Sequence, residues 1–80
     1  MKTLVTGATG LLGATLTRQL LDEGASVRIL HRPTSSFDLL GDAAHAVERA
    51  VGDLTDARSV YWAMRGVQHV YHTAALIEGS

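Results

Sequence analysis

Cysteine is absent from this 80-residue chain, proline occurs once, and aromatic side chains make up only 5% of it. Without cysteine there is no disulfide framework and no thiolate metal site, so a reducing, cytoplasmic setting is expected. Neither sign of charge dominates, because seven Lys and Arg against eight Asp and Glu leave a formal net charge of −1. The basic residues form no stripe able to track a phosphate backbone, and nucleic acid is not an expected partner. Long apolar runs are missing too: the longest, Val60 to Met64, falls far short of the roughly 20 residues that a membrane helix needs. No membrane association is expected. Met1-Lys2-Thr3 passes at once into a strand-like run, leaving no room for the apolar region of a signal peptide, and the start reads as a true N-terminus.

What is present is a globular composition, 46% hydrophobic and 19% charged, in a length that allows one domain at most. A chain this short buries only about 60 to 65% of the surface its unfolded form exposes, so its stability is expected to be marginal.

The most informative segment is Thr6-Gly7-Ala8-Thr9-Gly10-Leu11-Leu12-Gly13, set directly behind the strand-like Leu4-Val5. Glycines at 7, 10 and 13 would let the backbone turn sharply out of a strand, admit a pyrophosphate close to the main chain, and let the following helix pack tightly on the sheet. A helix beginning near Gly10 would aim the free N–H groups of its first turn, Leu11 and Leu12 among them, and the positive end of its dipole at the phosphates. No acidic residue stands between Gly10 and Leu21 to oppose them. Loops also use glycine for purely structural turns, and that reading stands beside the phosphate cradle.

Hydrophobic patterning supplies the frame. Thr3 to Thr6 reads as a first strand, and Leu12, Leu16 and Leu20 give the next segment an apolar helical stripe that Gly24 ends. Val27 to Leu30 reads as a second strand, followed by a turn-rich stretch from Arg32 to Ser36 and one helical turn over Phe37 to Leu40. Ala46 to Val51 is a third strand diluted by Glu48 and Arg49. Thr55 or Asp56 can cap a helix with apolar positions Val60, Ala63, Met64 and Val67, ended by Gly66; Tyr61, Trp62 and Met64 are expected to help pack it on the sheet. Val67 to His72 completes a fourth strand. Strands alternating with crossovers imply an α/β fold with a doubly wound parallel sheet of about four strands in spatial order 3-2-1-4, with ligands beyond the C-terminal strand ends.

Four elements in order, the Thr-Gly-x-x-Gly-x-x-Gly turn, Arg32 after the second strand, Gly52-Asp53-Leu54 after the third and His72-Thr73-Ala74-Ala75 after the fourth, resemble the extended branch of the short-chain dehydrogenase/reductase superfamily. That branch includes NAD-dependent epimerases, dehydratases and dihydroflavonol-reductase-like enzymes, and the resemblance covers essentially all 80 residues. It implies a Rossmann fold that binds NADP or NAD, with Gly7, Thr9, Gly10, Leu11, Leu12 and Gly13 at the phosphates. Where NAD-preferring relatives carry an acid for the adenosine ribose, this chain has His31, and Arg32 beside it suits a ribose 2′-phosphate; the alternative is a solvated arginine in a turn. Asp53 corresponds to the carboxylate that accepts from the adenine amino group while the Leu54 N–H meets a ring nitrogen, although aspartate here can equally cap the next helix. Thr73, Ala74 and Ala75 correspond to the small-residue segment under the cofactor, or simply to close packing.

The family's catalytic Tyr-x-x-x-Lys pair is missing. Arg65 follows Tyr61 by four positions, Ala75 follows Tyr71, and the only lysine is Lys2, so no catalytic residue is assigned. Nor do the four histidines show metal-ligand spacing. The chain reads as the N-terminal, cofactor-binding part of a longer reductase or epimerase, residues 1–80 holding at best the ADP half of the cofactor, with catalytic and substrate-binding parts absent. A non-catalytic NADP-sensing regulator and a truncated product are the alternatives. A homodimer is expected through an exposed edge of the fourth strand or through helices beyond this segment.

Overall fold

The computed structural model describes residues 2–73. Four strands, β1 (Lys2–Thr6), β2 (Ser26–His31), β3 (Glu48–Val51) and β4 (His69–His72), alternate with helix α1 (Leu11–Asp22), a 3-10 helix at Gly41–His45 and helix α2 (Ala57–Ala63). The strands form one parallel sheet in the order β3-β2-β1-β4, as the patterning predicts. Its register sets Thr6 beside both Leu30 and His72, and His31 beside Val51, so all four C-terminal strand ends lie along one side of the sheet.

Alternation along β1 assigns the two helices to opposite faces. Val5 packs in a cluster with Val27, Ile29 and the α1 residues Ala14 and Leu20, whereas Leu4 packs with Leu30 and Ala63 of α2. Arg28 closes the second face at its edge. Its Nη1 donates to the carbonyls of Ala63 (2.6 Å) and Arg65 (2.7 Å), and its Nε donates to Glu48, which also pairs with Lys2. A guanidinium there satisfies carbonyls that the end of a helix leaves unpaired.

Both helices lie largely on small residues; the sequence reading anticipated Gly13, Leu20 and Ala63 but not Ala14 and Thr17. On α1 the buried positions are Gly13, Ala14, Thr17 and Leu20, while Leu12 is 53% exposed and Leu16 only partly covered. The cause is steric. A Cβ added to Gly13 would stand 2.0 Å from the Gly7 carbonyl oxygen and 2.8 Å from the Ala8 Cα, so the helix start is pressed against the loop and turns its leucines outward. Thr17 tolerates full burial because its hydroxyl donates to the Gly13 carbonyl at 2.8 Å. On α2 the buried residue is Ala63, with Ser59, Val60 and Val67 partly covered. Tyr61 (64% exposed), Trp62 (56%) and Met64 point away from the sheet instead of packing on it. Trp62 stacks with the Arg65 guanidinium, 4.9 Å from the ring centre.

Other differences are local. Phe37 to Leu40 forms a turn closed by the Leu40 N–H on the Phe37 carbonyl (3.0 Å), and the regular 3-10 helix comes after it. β4 begins at His69 because Val67 still bonds back to Met64, and β3 begins at Glu48. Of the two candidate caps, Asp56 starts α2, accepting from the Arg58 N–H and the Ser59 hydroxyl.

Replacing Gly13 with Ala is expected to cost about 1–3 kcal/mol of stability, because the methyl group has no space to enter. Gly10→Ala, whose added carbon would meet only the Gly7 oxygen at 3.5 Å, is the internal control and should cost clearly less. Chemical denaturation of the two variants checks this; equal midpoints would show that the helix start is not pressed on the loop.

Candidate functional site

The turn between β1 and α1 uses its three glycines in three ways. Gly7 adopts φ 75°, a left-handed conformation costly for any side chain, and sends the chain out of β1. Gly10 is the helix N-cap, with extended backbone; its N–H donates to the Gly7 carbonyl at 3.1 Å. Gly13 permits the close approach described above. Because Gly10 has no side chain, nothing caps α1 from within, and the Leu11, Leu12 and Gly13 N–H groups find no backbone acceptor among the described residues. The first turn carries no acid. Three free donors at the positive end of a twelve-residue helix make a fitting seat for an anion. Leu11 and Leu12 can take part only through their main chain, since their side chains are turned to solvent.

Beside this turn opens a cleft of about 140 Å³, walled by Thr6, Gly7 and Thr9 from the first strand end, Leu30, His31, Arg32 and Ser35 from the second, and Gly52, Asp53 and Leu54 from the third. It gathers six of the residues singled out in the sequence: Gly7, Thr9, His31, Arg32, Asp53 and Leu54. Thr73 is not in its wall. Its N–H and hydroxyl instead both donate to the Thr6 carbonyl, at 3.2 and 2.8 Å. Ala74 and Ala75 lie outside the described residues.

Thr6, Leu30, Ser35 and Gly52 also line the cleft, without a binding role assigned from the sequence, and two of them shape it. Ser35 accepts from the Arg32 N–H at 3.1 Å through its hydroxyl and donates its own N–H to the Arg32 carbonyl at 3.0 Å, which bends the loop so that Arg32 and Ser35 face the same space. A serine three residues after the arginine was the available signal. Gly52 is required sterically, since a Cβ there would meet the Ser59 side chain at 2.4 Å. Its N–H donates to the His31 carbonyl at 2.8 Å, joining the second and third strand ends at the cleft.

The polar groups are held in place. His31 donates from Nδ1 to the Arg32 carbonyl at 2.9 Å and sets its ring edge-on to Phe37 at 4.8 Å. One Asp53 oxygen accepts from both the N–H and the hydroxyl of Thr55, each at 3.0 Å. These two bonds, with a smaller contribution from the Arg32 charge, hold the Asp53 carboxyl below the ordinary carboxylate range. Its other oxygen is left for a ligand, so a local structural role and a binding role are compatible.

A depressed carboxylate pKa contributes stability above the ordinary value, and that contribution is lost as pH falls through the depressed one. Asp53 behaves in this sense, as does Glu48, lowered by its bonds to Lys2 and Arg28. Thermal melts recorded from neutral to acid pH should therefore show stability falling below the ordinary carboxylate range, with a shallower fall for Asp53→Asn. Superimposable profiles would remove Asp53 from that account.

Known proteins resemble this chain in sequence and fold. Over 77 residues the chain is 53% identical to sterol demethylase protein B of Methylococcus capsulatus, covering 96% of this chain and 23% of that protein. It is 42% identical over 77 residues to a 3 beta-hydroxysteroid dehydrogenase/Delta 5-->4-isomerase of Mycobacterium tuberculosis, covering 96% of this chain and 20% of that one. Among solved structures, Thermus thermophilus UDP-glucose 4-epimerase in complex with NAD superposes with a TM-score of 0.76 at 32% identity, over 94% of this chain and 24% of that one. The chain thus spans about a quarter or less of the length of the proteins it matches. The model of the NAD dependent epimerase/dehydratase family matches residues 3–80, nearly the whole of the chain, and the chain belongs to that family.

Proposed function

We propose that this chain is the ADP-binding part of an NADP-preferring oxidoreductase. The observation that carries the reading is the convergence of three kinds of donor and acceptor along one side of the sheet: uncapped N–H groups of α1, the Arg32–Ser35 loop, and the half-free carboxylate of Asp53. In this reading the first turn of α1 and the main chain of Gly7 to Gly10 receive the pyrophosphate, and Asp53 with the Leu54 N–H selects adenine. Arg32 takes a 2′-phosphate, with the Ser35 hydroxyl beside it. His31 supports that preference in a negative way, since its ring is tied to its own loop and offers no carboxylate to the ribose hydroxyls. A dinucleotide bound there would bring hydride-transfer chemistry; the described residues contribute binding and orientation.

The names of its relatives support a substrate class for the whole protein. One is called a sterol demethylase protein and another a 3 beta-hydroxysteroid dehydrogenase, so a sterol-like ring alcohol or ketone is the substrate we assign, with catalysis supplied by parts outside these 80 residues.

Calorimetric titration of the chain should show NADP binding in the micromolar to millimolar range, on the order of −8 to −4 kcal/mol. At low salt NADP should bind about ten-fold more tightly than NAD, an advantage that falls with rising ionic strength and disappears in Arg32→Ala. Equal or tighter binding of NAD by the unmodified chain would overturn the preference.

A further inference from the structure

Thr6 ends β1 and is the residue from which the glycine turn departs, and it is gripped twice, by the last residue of β4 and by the residue after it. Its hydroxyl shares a hydrogen bond of 2.6 Å with Nδ1 of His72, the residue opposite it in register. Its carbonyl accepts both the N–H and the hydroxyl of Thr73. Thr6 is 3% exposed, and His72 is the one side chain among the described residues that partners its hydroxyl. Without the imidazole that hydroxyl would be a buried polar group with no bond, a costly state that the chain relieves by moving.

Movement at Thr6 is transmitted directly. The next carbonyl oxygen, that of Gly7, accepts the Gly10 N–H at 3.1 Å and stands in the gap where a Gly13 Cβ would lie 2.0 Å away. The turn therefore has no slack: a displacement of Thr6 that tilts the following Gly7–Ala8 peptide either drives that oxygen into α1 or pulls it from Gly10. Docking of β4 does not depend on the imidazole. The strand is held by its main-chain pairing from Thr3↔His69 to Thr6↔His72 and by two bonds between Lys2 and Gln68.

We infer that His72, acting through the Thr6 hydroxyl, is a positioning residue for the phosphate-facing turn. The inference rests on the dinucleotide reading above for its effect on binding, and on geometry alone for its effect on the turn. The isolated role of a cross-strand pair would be sheet stability; here the pair sets where the N–H groups of residues 7 to 12 point.

The test uses the full chain and four variants. His72→Phe keeps a ring and removes the hydrogen-bonding nitrogen, His72→Asn restores a hydrogen-bonding group near the Nδ1 position, Thr6→Val removes the hydroxyl at constant shape, and the fourth combines Thr6→Val with His72→Phe. In ligand-free protein, His72→Phe should shift the Gly7 and Gly10 amide resonances while melting cooperatively. It should weaken NADP binding about ten-fold, the scale of one lost hydrogen bond. His72→Asn should recover most of the affinity, and the double variant should bind no worse than either single one, since both remove the same bond. Unmoved resonances and unchanged affinity in His72→Phe would overturn the inference, as would losses that add in the double variant. If Thr6→Val does not fold, the two variants at the exposed His72 still decide. If the unmodified chain takes up no dinucleotide, the proposed function falls, and the ligand-free resonances alone decide whether His72 positions the turn.

Discussion

The contact between the Gly7 carbonyl and the first turn of α1 is the constraint on which the rest of this molecule depends. With no room for even one methyl group at Gly13, the helix axis, the departure angle of the chain from β1 and the direction of the free N–H groups are fixed together. Interiors packed at crystal-like density transmit such a constraint instead of absorbing it. Its effects run in two directions. Outward, the helix turns Leu11 and Leu12 to solvent; inward, it lays Ala14, Thr17 and Leu20 on the face that Val5, Val27 and Ile29 present.

The same solution recurs at the third strand end. Gly52 admits the Ser59 side chain at the start of α2, and Ala63 then lies flat on Leu4 and Leu30. In both places a glycine, Gly13 in the first turn of α1 and Gly52 after β3, removes the bulk that would hold helix and loop apart, and in both the adjoining loop contributes to the cleft. Close packing and the cleft wall are built from the same loops. Large apolar side chains are left over by this economy of small ones, which explains why Tyr61, Trp62 and Met64 face outward on α2.

Much of this was legible in the sequence. The strand order followed from alternating apolar runs, and the glycine spacing identified the turn because each glycine answers a different steric demand at a fixed distance from the strand. Arg32, Asp53 and Leu54 were legible from their positions after strand ends, where a parallel sheet gathers its loops. The helix faces were legible only in part. The stripes named Leu20 and Ala63 and the glycine spacing named Gly13, but periodicity registers leucines and other large apolar residues strongly and alanine and threonine weakly, so Leu12 and Met64 were expected to pack and Ala14 and Thr17 were not. Ser35 escaped notice because its link to Arg32 depends on loop curvature, and the pairing of Thr6 with His72 because it joins residues 66 positions apart.

That long separation has a bearing on how the chain acquires its shape. β1 is made first, yet it sits inside the sheet and needs β2 on one side and β4 on the other, the latter contributed by residues 69 to 72. Closing so large a loop is entropically slow, and until it closes the earliest-synthesised strand keeps one flank of unsatisfied main-chain groups. A nascent chain would thus hold its most deeply buried strand half-paired until residues 69 to 72 have emerged from the ribosome, a window in which chaperone capture competes with self-association.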